Sequence, residues 1–188
     1  QEGFRGFIGN TQAIELLSSH LMRALTGDPP HLQRNFLFTG PPSTGKTELA
    51  RRIGQILGNL PFIRLDGRTL ARPGREGLIE MIDASLESRA VRPENMGEQQ
   101  EGLPLINYPP LVVFIDEIHL MSAMQQESLL TLLDNEERTL RTNNRILLLQ
   151  QASFLFATTR PSEIDSAFRT RCTEIRLREY SHGEVTDI

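Results

Sequence analysis

The stretch Asn35-Phe36-Leu37-Phe38-Thr39-Gly40-Pro41-Pro42-Ser43-Thr44-Gly45-Lys46-Thr47 runs from an apolar segment through a Gly/Pro turn into the start of a helix. Residues 40–47 fit G-x-x-x-x-G-K-[ST] at every fixed position, the spacing of a phosphate-cradling loop. A triphosphate needs backbone N–H groups brought within hydrogen-bond range. Gly40 and Gly45 let the chain turn tightly and approach closely, with Pro41, Pro42, Ser43 and Thr44 spanning the loop between them. The helix that follows adds the positive end of its dipole. In such a loop Lys46 reaches the β- and γ-phosphates and the Thr47 hydroxyl coordinates Mg²⁺.

The bland alternative is a Gly-rich turn with a stray lysine, and composition weighs against it. Lys46 is the only lysine among 20 Lys and Arg residues. A chain that uses arginine everywhere else keeps the compact ammonium where a planar guanidinium would crowd the phosphates.

The 188 residues allow one domain, with 38% hydrophobic and 23% charged content typical of a globular chain. No apolar run approaches the roughly 18 residues that cross a bilayer, so no membrane partner is expected. The single cysteine, Cys172, excludes an internal disulfide and fits a reducing, cytoplasmic setting. A net charge of −4 provides no global basic field, so any grip on DNA has to come from a local patch, an assembly or parts outside this chain. Ser181-His182-Gly183-Glu184 has the pattern of a capping box with only four residues after it. The expectation is one domain over 1–179 and the truncated start of a helical domain over 180–188.

Apolar spacing predicts a helix over Thr11–Leu25, a helix after the phosphate loop that stops near Gly58, a strand over Pro61–Leu65 and a helix carrying Leu78, Ile82 and Leu86. Arg89–Pro110, rich in Pro, Glu, Gln and Asn without periodicity, reads as a long exposed loop. Leu111–Ile115 is continuously apolar, as expected of a strand covered on both faces. A helix through Met124 and Leu133 follows, with Ser122 as its cap. Arg138–Leu140 and Arg145–Leu149 flank Thr142-Asn143-Asn144 as a hairpin, and Phe154–Ala157 is a second buried strand. A short helix from Ser162 and a strand near Thr173–Leu177 close the set. Strands alternating with helices imply an α/β fold with a central parallel sheet, binding its ligand at the carboxyl ends of the strands.

Asp116 and Glu117 end the most apolar strand, where two acids are costly unless something uses them. Beside a phosphate loop they suit Mg²⁺ support by Asp116 and activation of the attacking water by Glu117; otherwise Asp116 is a helix cap. Thr158 and Thr159 end another apolar strand, and either hydroxyl could orient water. Arg169 and Arg171 follow a short helix and could act as arginine fingers or lie on a solvated face. The four histidines show no metal-ligand spacing, and Cys172 reads as a small buried residue.

These residues resemble those of the AAA+ ATPases. Residues 40–47 look like Walker A, Val113-Phe114-Ile115-Asp116-Glu117-Ile118-His119 like Walker B, and Phe156-Ala157-Thr158-Thr159-Arg160 like the sensor 1 stretch, which favours Thr159 as sensor. Within the class the sequence is most similar to RuvB, the Holliday-junction branch-migration motors, through Phe7-Ile8-Gly9, Asp116–His119, Ala157–Arg160 and Phe168-Arg169-Thr170-Arg171 with Tyr180 beyond. The resemblance implies a P-loop NTPase three-layer sandwich of AAA+ type with a pre-sensor-1 β-hairpin. It further implies ATP and Mg²⁺ as cofactors, adenine near Ile8 and Gly9, Arg171 as a finger acting on a neighbouring subunit and Arg169 as an accessory. A ring, expected to be a hexamer, would act on DNA in recombination and repair through parts outside this chain. The alternatives are a protein-remodelling ATPase like Clp, HslU or MoxR, and a nucleotide-sensing scaffold without turnover. The hairpin is shorter than in RuvB, Asn10 replaces a usual glutamine, and the 89–110 segment departs from the pattern.

Overall fold

The computed structural model describes residue 4 and residues 10–71, 75–88, 95–100, 102–134 and 138–179. In chain order the elements are α1 (Thr11–Leu25), β1 (Asn35–Thr39), α2 (Lys46–Ile56), β2 (Phe62–Asp66), α3 (Gly67–Leu70), α4 (Arg75–Ser88), β3 (Asn95–Gln100) and β4 (Leu103–Asn107). They continue with β5 (Leu111–Asp116), α5 (Ala123–Ser128), α6 (Leu130–Leu133), β6 (Thr139–Arg141), β7 (Ile146–Leu148), β8 (Ala152–Thr158), α7 (Ser166–Thr170) and β9 (Cys172–Arg176).

Five strands form a sheet in the order β2-β5-β8-β1-β9, and every neighbouring pair is parallel. Every residue of β5 and β8 is buried, which explains why both read as unbroken apolar runs. Alternation along the strands feeds two separate cores. Phe36, Phe38, Phe114 and Leu155 face Leu17 and Leu21 of α1 and Leu49 and Ile53 of α2. Leu37, Val113, Ile115 and Phe156 face Ile82 and Leu86 of α4, Leu132 and Leu133 of α6 and Phe168 of α7. The result is the three-layer α/β sandwich with a central parallel sheet. No helix among the described residues is long and apolar enough to cross a membrane.

The reading of 89–110 as an exposed loop requires correction. Within it, β3 (Asn95–Gln100) and β4 (Leu103–Asn107) pair antiparallel, with an irregularity between Met96 and Gln99. β4 then pairs in parallel with β7, giving a second sheet in the order β3-β4-β7-β6. Ile106 and Tyr108, two apart, are buried, and Tyr108 N–H extends the pairing to Leu148 O at 3.0 Å. β3 is an edge strand of polar residues held by backbone pairing, so it leaves no hydrophobic period to read. The β6–β7 hairpin lies where expected. Arg145 fastens it to α4, with its guanidinium 2.7 Å from Asp83 and 2.5 Å from Glu87.

α5 begins with a full capping box, in which the Gln125 side chain returns the bond that its backbone N–H gives to Ser122. Met124, expected on the apolar face, is instead exposed. Below the sheet, Arg138 is 1% exposed. Its guanidinium donates to the carbonyls of Leu32 and Gln33 at 3.2 and 3.0 Å, to the Asn35 side-chain oxygen at 3.3 Å and to the carbonyl of Ala152. Burial lowers its pKa to about 10, which still leaves it charged at neutral pH. This one side chain joins the starts of β1, β6 and β8. Replacing it with methionine orphans several buried acceptors at about 1–3 kcal/mol each. The expected loss of about 3 kcal/mol lowers the melting temperature by roughly 6–12 °C, measurable by calorimetry.

Candidate active site

β1 delivers the chain to Gly40, whose φ of 149° and close neighbour leave no room for a side chain: a Cβ there would lie 2.2 Å from Leu177 O. Ser43 and Gly45 both take positive φ, and Gly45 starts α2 without a side-chain cap. The first N–H groups of α2 are therefore left for an anion. Lys46 is buried beneath this loop, its Nζ donating to Gly40 O at 2.9 Å and Pro41 O at 2.6 Å. Burial lowers its pKa from the ordinary value, while Glu117 and Asp116 act in the opposite direction. A cavity of about 430 Å³ opens here, lined by the loop, Lys46, Thr47, Asp116 and Glu117.

β5 is paired with β2 and β8, so its acidic end lies between theirs. Asp116 Oδ2 accepts the Thr47 hydroxyl at 3.2 Å and the Arg64 guanidinium at 2.7 Å, and Oδ1 accepts the Glu117 N–H at 3.1 Å. Asp116 is thus turned to the phosphate loop and does not cap a helix. A hydroxyl and a carboxylate brought together beside a phosphate loop form a hard-oxygen donor set that fits Mg²⁺.

Glu117 adopts a left-handed backbone (φ 51°, ψ 48°), a conformation costing a non-glycine residue about 1–3 kcal/mol. Gly67 permits the chain to bend there, since a Cβ on it would lie 2.3 Å from Glu117 O. One carboxylate oxygen, Oε2, accepts the Thr159 hydroxyl at 3.1 Å and the Thr159 N–H at 3.4 Å. The two threonines are thereby told apart. Thr159 meets the acid, whereas Thr158 is fully buried and bonds His119 at 3.0 Å.

Arg169 and Arg171 are both exposed at the end of α7, and among the described residues neither bonds to the cavity. Arg169 is held by Glu174 at 2.9 Å. The Glu174 carboxylate also takes the Thr39 hydroxyl at 2.9 Å, immediately before the phosphate loop. Among the described residues the Arg171 guanidinium bonds only a carbonyl of its own helix, Ala167 O at 3.1 Å. Ile8 and Gly9, the adenine-side expectations, lie outside the described residues, as do Tyr180 and the 180–188 segment.

Two residues of the site escaped the sequence reading. His119 stands in the Walker B stretch two residues past Glu117, but neither its spacing nor the resemblance gives it a role. Arg64 is one of several arginines, and only the β2–β5 register brings it diagonally to Asp116. Arg64 places a cation on the oxygen that Mg²⁺ would use, and its side chain is about half exposed. Exposed pairs contribute about 0.2–1 kcal/mol. Arg64→Met is therefore expected to lower the Mg²⁺ concentration for half-maximal nucleotide binding by up to about 5-fold, read by titrating Mg²⁺ against a fluorescent ATP analogue.

A phosphate loop, an acid pair at a buried strand end and a threonine bonded to the second acid define a P-loop ATPase site. Residues 36–180 match the ATPase family associated with various cellular activities (AAA), and the chain belongs to that family. Among solved structures it is similar to a RuvB from Thermotoga maritima, with a TM-score of 0.67 and 25% identity, covering 96% of this chain and 49% of that one. The AAA domain of FIGL-1 in complex with ADP shares the fold, with a TM-score of 0.63 and 20% identity over 99% of this chain and 59% of the other. Curated relatives include chaperone protein ClpB 1 of Nostoc sp., 29% identical over 76% of this chain and 17% of its own length. Lon protease 2 of Bacillus subtilis is 27% identical over 100% of this chain and 38% of its own length. The chain thus spans about half of the solved RuvB chain and a smaller share of the curated relatives.

Proposed function

We propose that this chain is the large ATPase subdomain of a RuvB-like ring motor that couples ATP hydrolysis to movement along DNA. The observation that carries the ATPase reading is the convergence of Lys46, Thr47, Asp116 and Glu117 on one cavity, with Thr159 bonded to Glu117. In this reading the loop N–H groups and Lys46 hold the phosphates, Thr47 and Asp116 hold Mg²⁺, and Glu117 takes a proton from the attacking water. Mg²⁺, when bound, neutralises charge on the phosphate oxygens. Lys46 must exchange its bonds to Gly40 O and Pro41 O for bonds to phosphate oxygens, one set of oxygen acceptors for another. Thr159 orients the water, and Arg171 is presented to the site of an adjacent subunit.

The RuvB likeness in fold and motifs supports DNA as the polymer. The ClpB and Lon relatives support a second reading, a motor that remodels proteins. ATPase activity of the complete protein at fixed salt separates the two. Stimulation by branched DNA and not by an unfolded protein supports the first; the reverse supports the second.

A further inference from the structure

We propose that His119 is a positioning residue that holds Glu117 in register for proton abstraction. The inference rests on the reading of Glu117 as the general base. His119 sits in a single 3-10 turn, Ile118–Leu120, and its side chain is 6% exposed. Nδ1 lies 3.1 Å from Glu117 Oε2 and 3.0 Å from the Thr158 hydroxyl. Two lone pairs cannot face each other at that distance, so the proton of the imidazole belongs on Nδ1, between the carboxylate and Thr158.

The anchor on the other side is rigid. Thr158 ends the fully buried strand β8, and its hydroxyl oxygen also accepts the Arg160 N–H at 3.0 Å. His119 therefore transmits the position of a core strand to a carboxylate in the cavity. Two donors, the N–H and O–H of Thr159, bond Oε2, and His119 Nδ1 approaches the same oxygen to 3.1 Å. Oε1 takes no bond from any described residue, which leaves it as the oxygen that receives the proton of a water.

This arrangement resolves a conflict in the duties of Thr159. Its hydroxyl is spent on Oε2, yet the same hydroxyl is assigned to orient the water. Once the hydroxyl turns to the water, His119 and the Thr159 N–H remain to keep Oε2 in place. A misplaced base costs up to about 100-fold in rate even when nothing else is disturbed.

The test uses the complete protein and four variants: His119→Ala, His119→Asn, Glu117→Gln and the double variant His119→Ala/Glu117→Gln. His119→Ala is expected to lower kcat by about 10- to 100-fold, with KM for ATP and the affinity for a fluorescent ATP analogue essentially unchanged. His119→Asn, whose amide offers an N–H close to the position of Nδ1–H, recovers most of that loss. Alanine at 119 adds nothing in the Glu117→Gln background. An unchanged kcat in His119→Ala overturns the proposal. So does a parallel loss of kcat, nucleotide affinity and melting temperature that asparagine does not rescue, since that is the signature of a packing role. If Glu117→Gln alone keeps full turnover, the base assignment itself is wrong, a failure distinct from either of these.

Discussion

Arg171→Ala in the complete, assembled protein is expected to lower kcat by about 10³- to 10⁵-fold, the range over which arginine fingers act in related NTPases. Arg171 closes α7 with its guanidinium in solvent and no acidic partner among the described residues. It is the kind of cation that can be lent to another subunit for the loss of one exposed bond to a carbonyl of its own helix. Arg169, two residues earlier, is already engaged with Glu174 at 2.9 Å. Its replacement is therefore expected to have the smaller effect. A finger that acts in trans leaves the affinity for nucleotide little changed. Mixing Arg171→Ala subunits with Glu117→Gln subunits should restore part of the turnover, since a Glu117-bearing site beside a Glu117→Gln subunit meets a neighbour that retains Arg171. Recovery is read as ATPase activity of the mixture above the sum of its components. No recovery at any ratio would place the arginine outside the neighbour's site.

Glu117→Gln is expected to lower kcat by about 10²- to 10⁴-fold while nucleotide remains bound. The amide keeps the size of the carboxylate and an oxygen that can still accept from Thr159 and His119. It cannot take a proton. Asp116, Thr47 and Lys46 are untouched, so the phosphate and metal contacts persist. Trapped nucleotide measured by filter binding, beside absent phosphate release, is the expected pattern. A nucleotide-sensing scaffold would show no turnover in the wild type to lose.

The sandwich was legible because its central strands are buried on both faces. Leu111–Ile115 and Phe154–Ala157 needed no partner information to be read as strands, and Gly40–Thr47 announced the turn between β1 and α2. The two acids of the candidate site were legible for the same reason, because Asp116 and Glu117 stand at the end of an apolar run. What was hidden depends on contacts across the fold. β3 carries Gln99 and Gln100 on an edge and exists through pairing with β4. Arg138 resembles any other arginine until Leu32, Gln33, Asn35 and Ala152 are brought around it. The choice between Thr158, the last residue of β8, and Thr159, the next, turns on their contacts across the fold, and only the β5–β8 pairing brings Thr159 to Glu117. Thr159 was the threonine that family resemblance favoured.

The account depends on one metal-bound triphosphate being shared by Lys46, Thr47, Asp116 and Glu117. Anomalous diffraction from crystals grown with Mn²⁺ and a non-hydrolysable ATP analogue tests this directly. The predicted result is a Mn²⁺ peak between the Thr47 hydroxyl and the Asp116 carboxylate, with Arg64 displaced from Oδ2 and Lys46 Nζ on the terminal phosphates. A nucleotide bound elsewhere, or a peak remote from both oxygens, would contradict it.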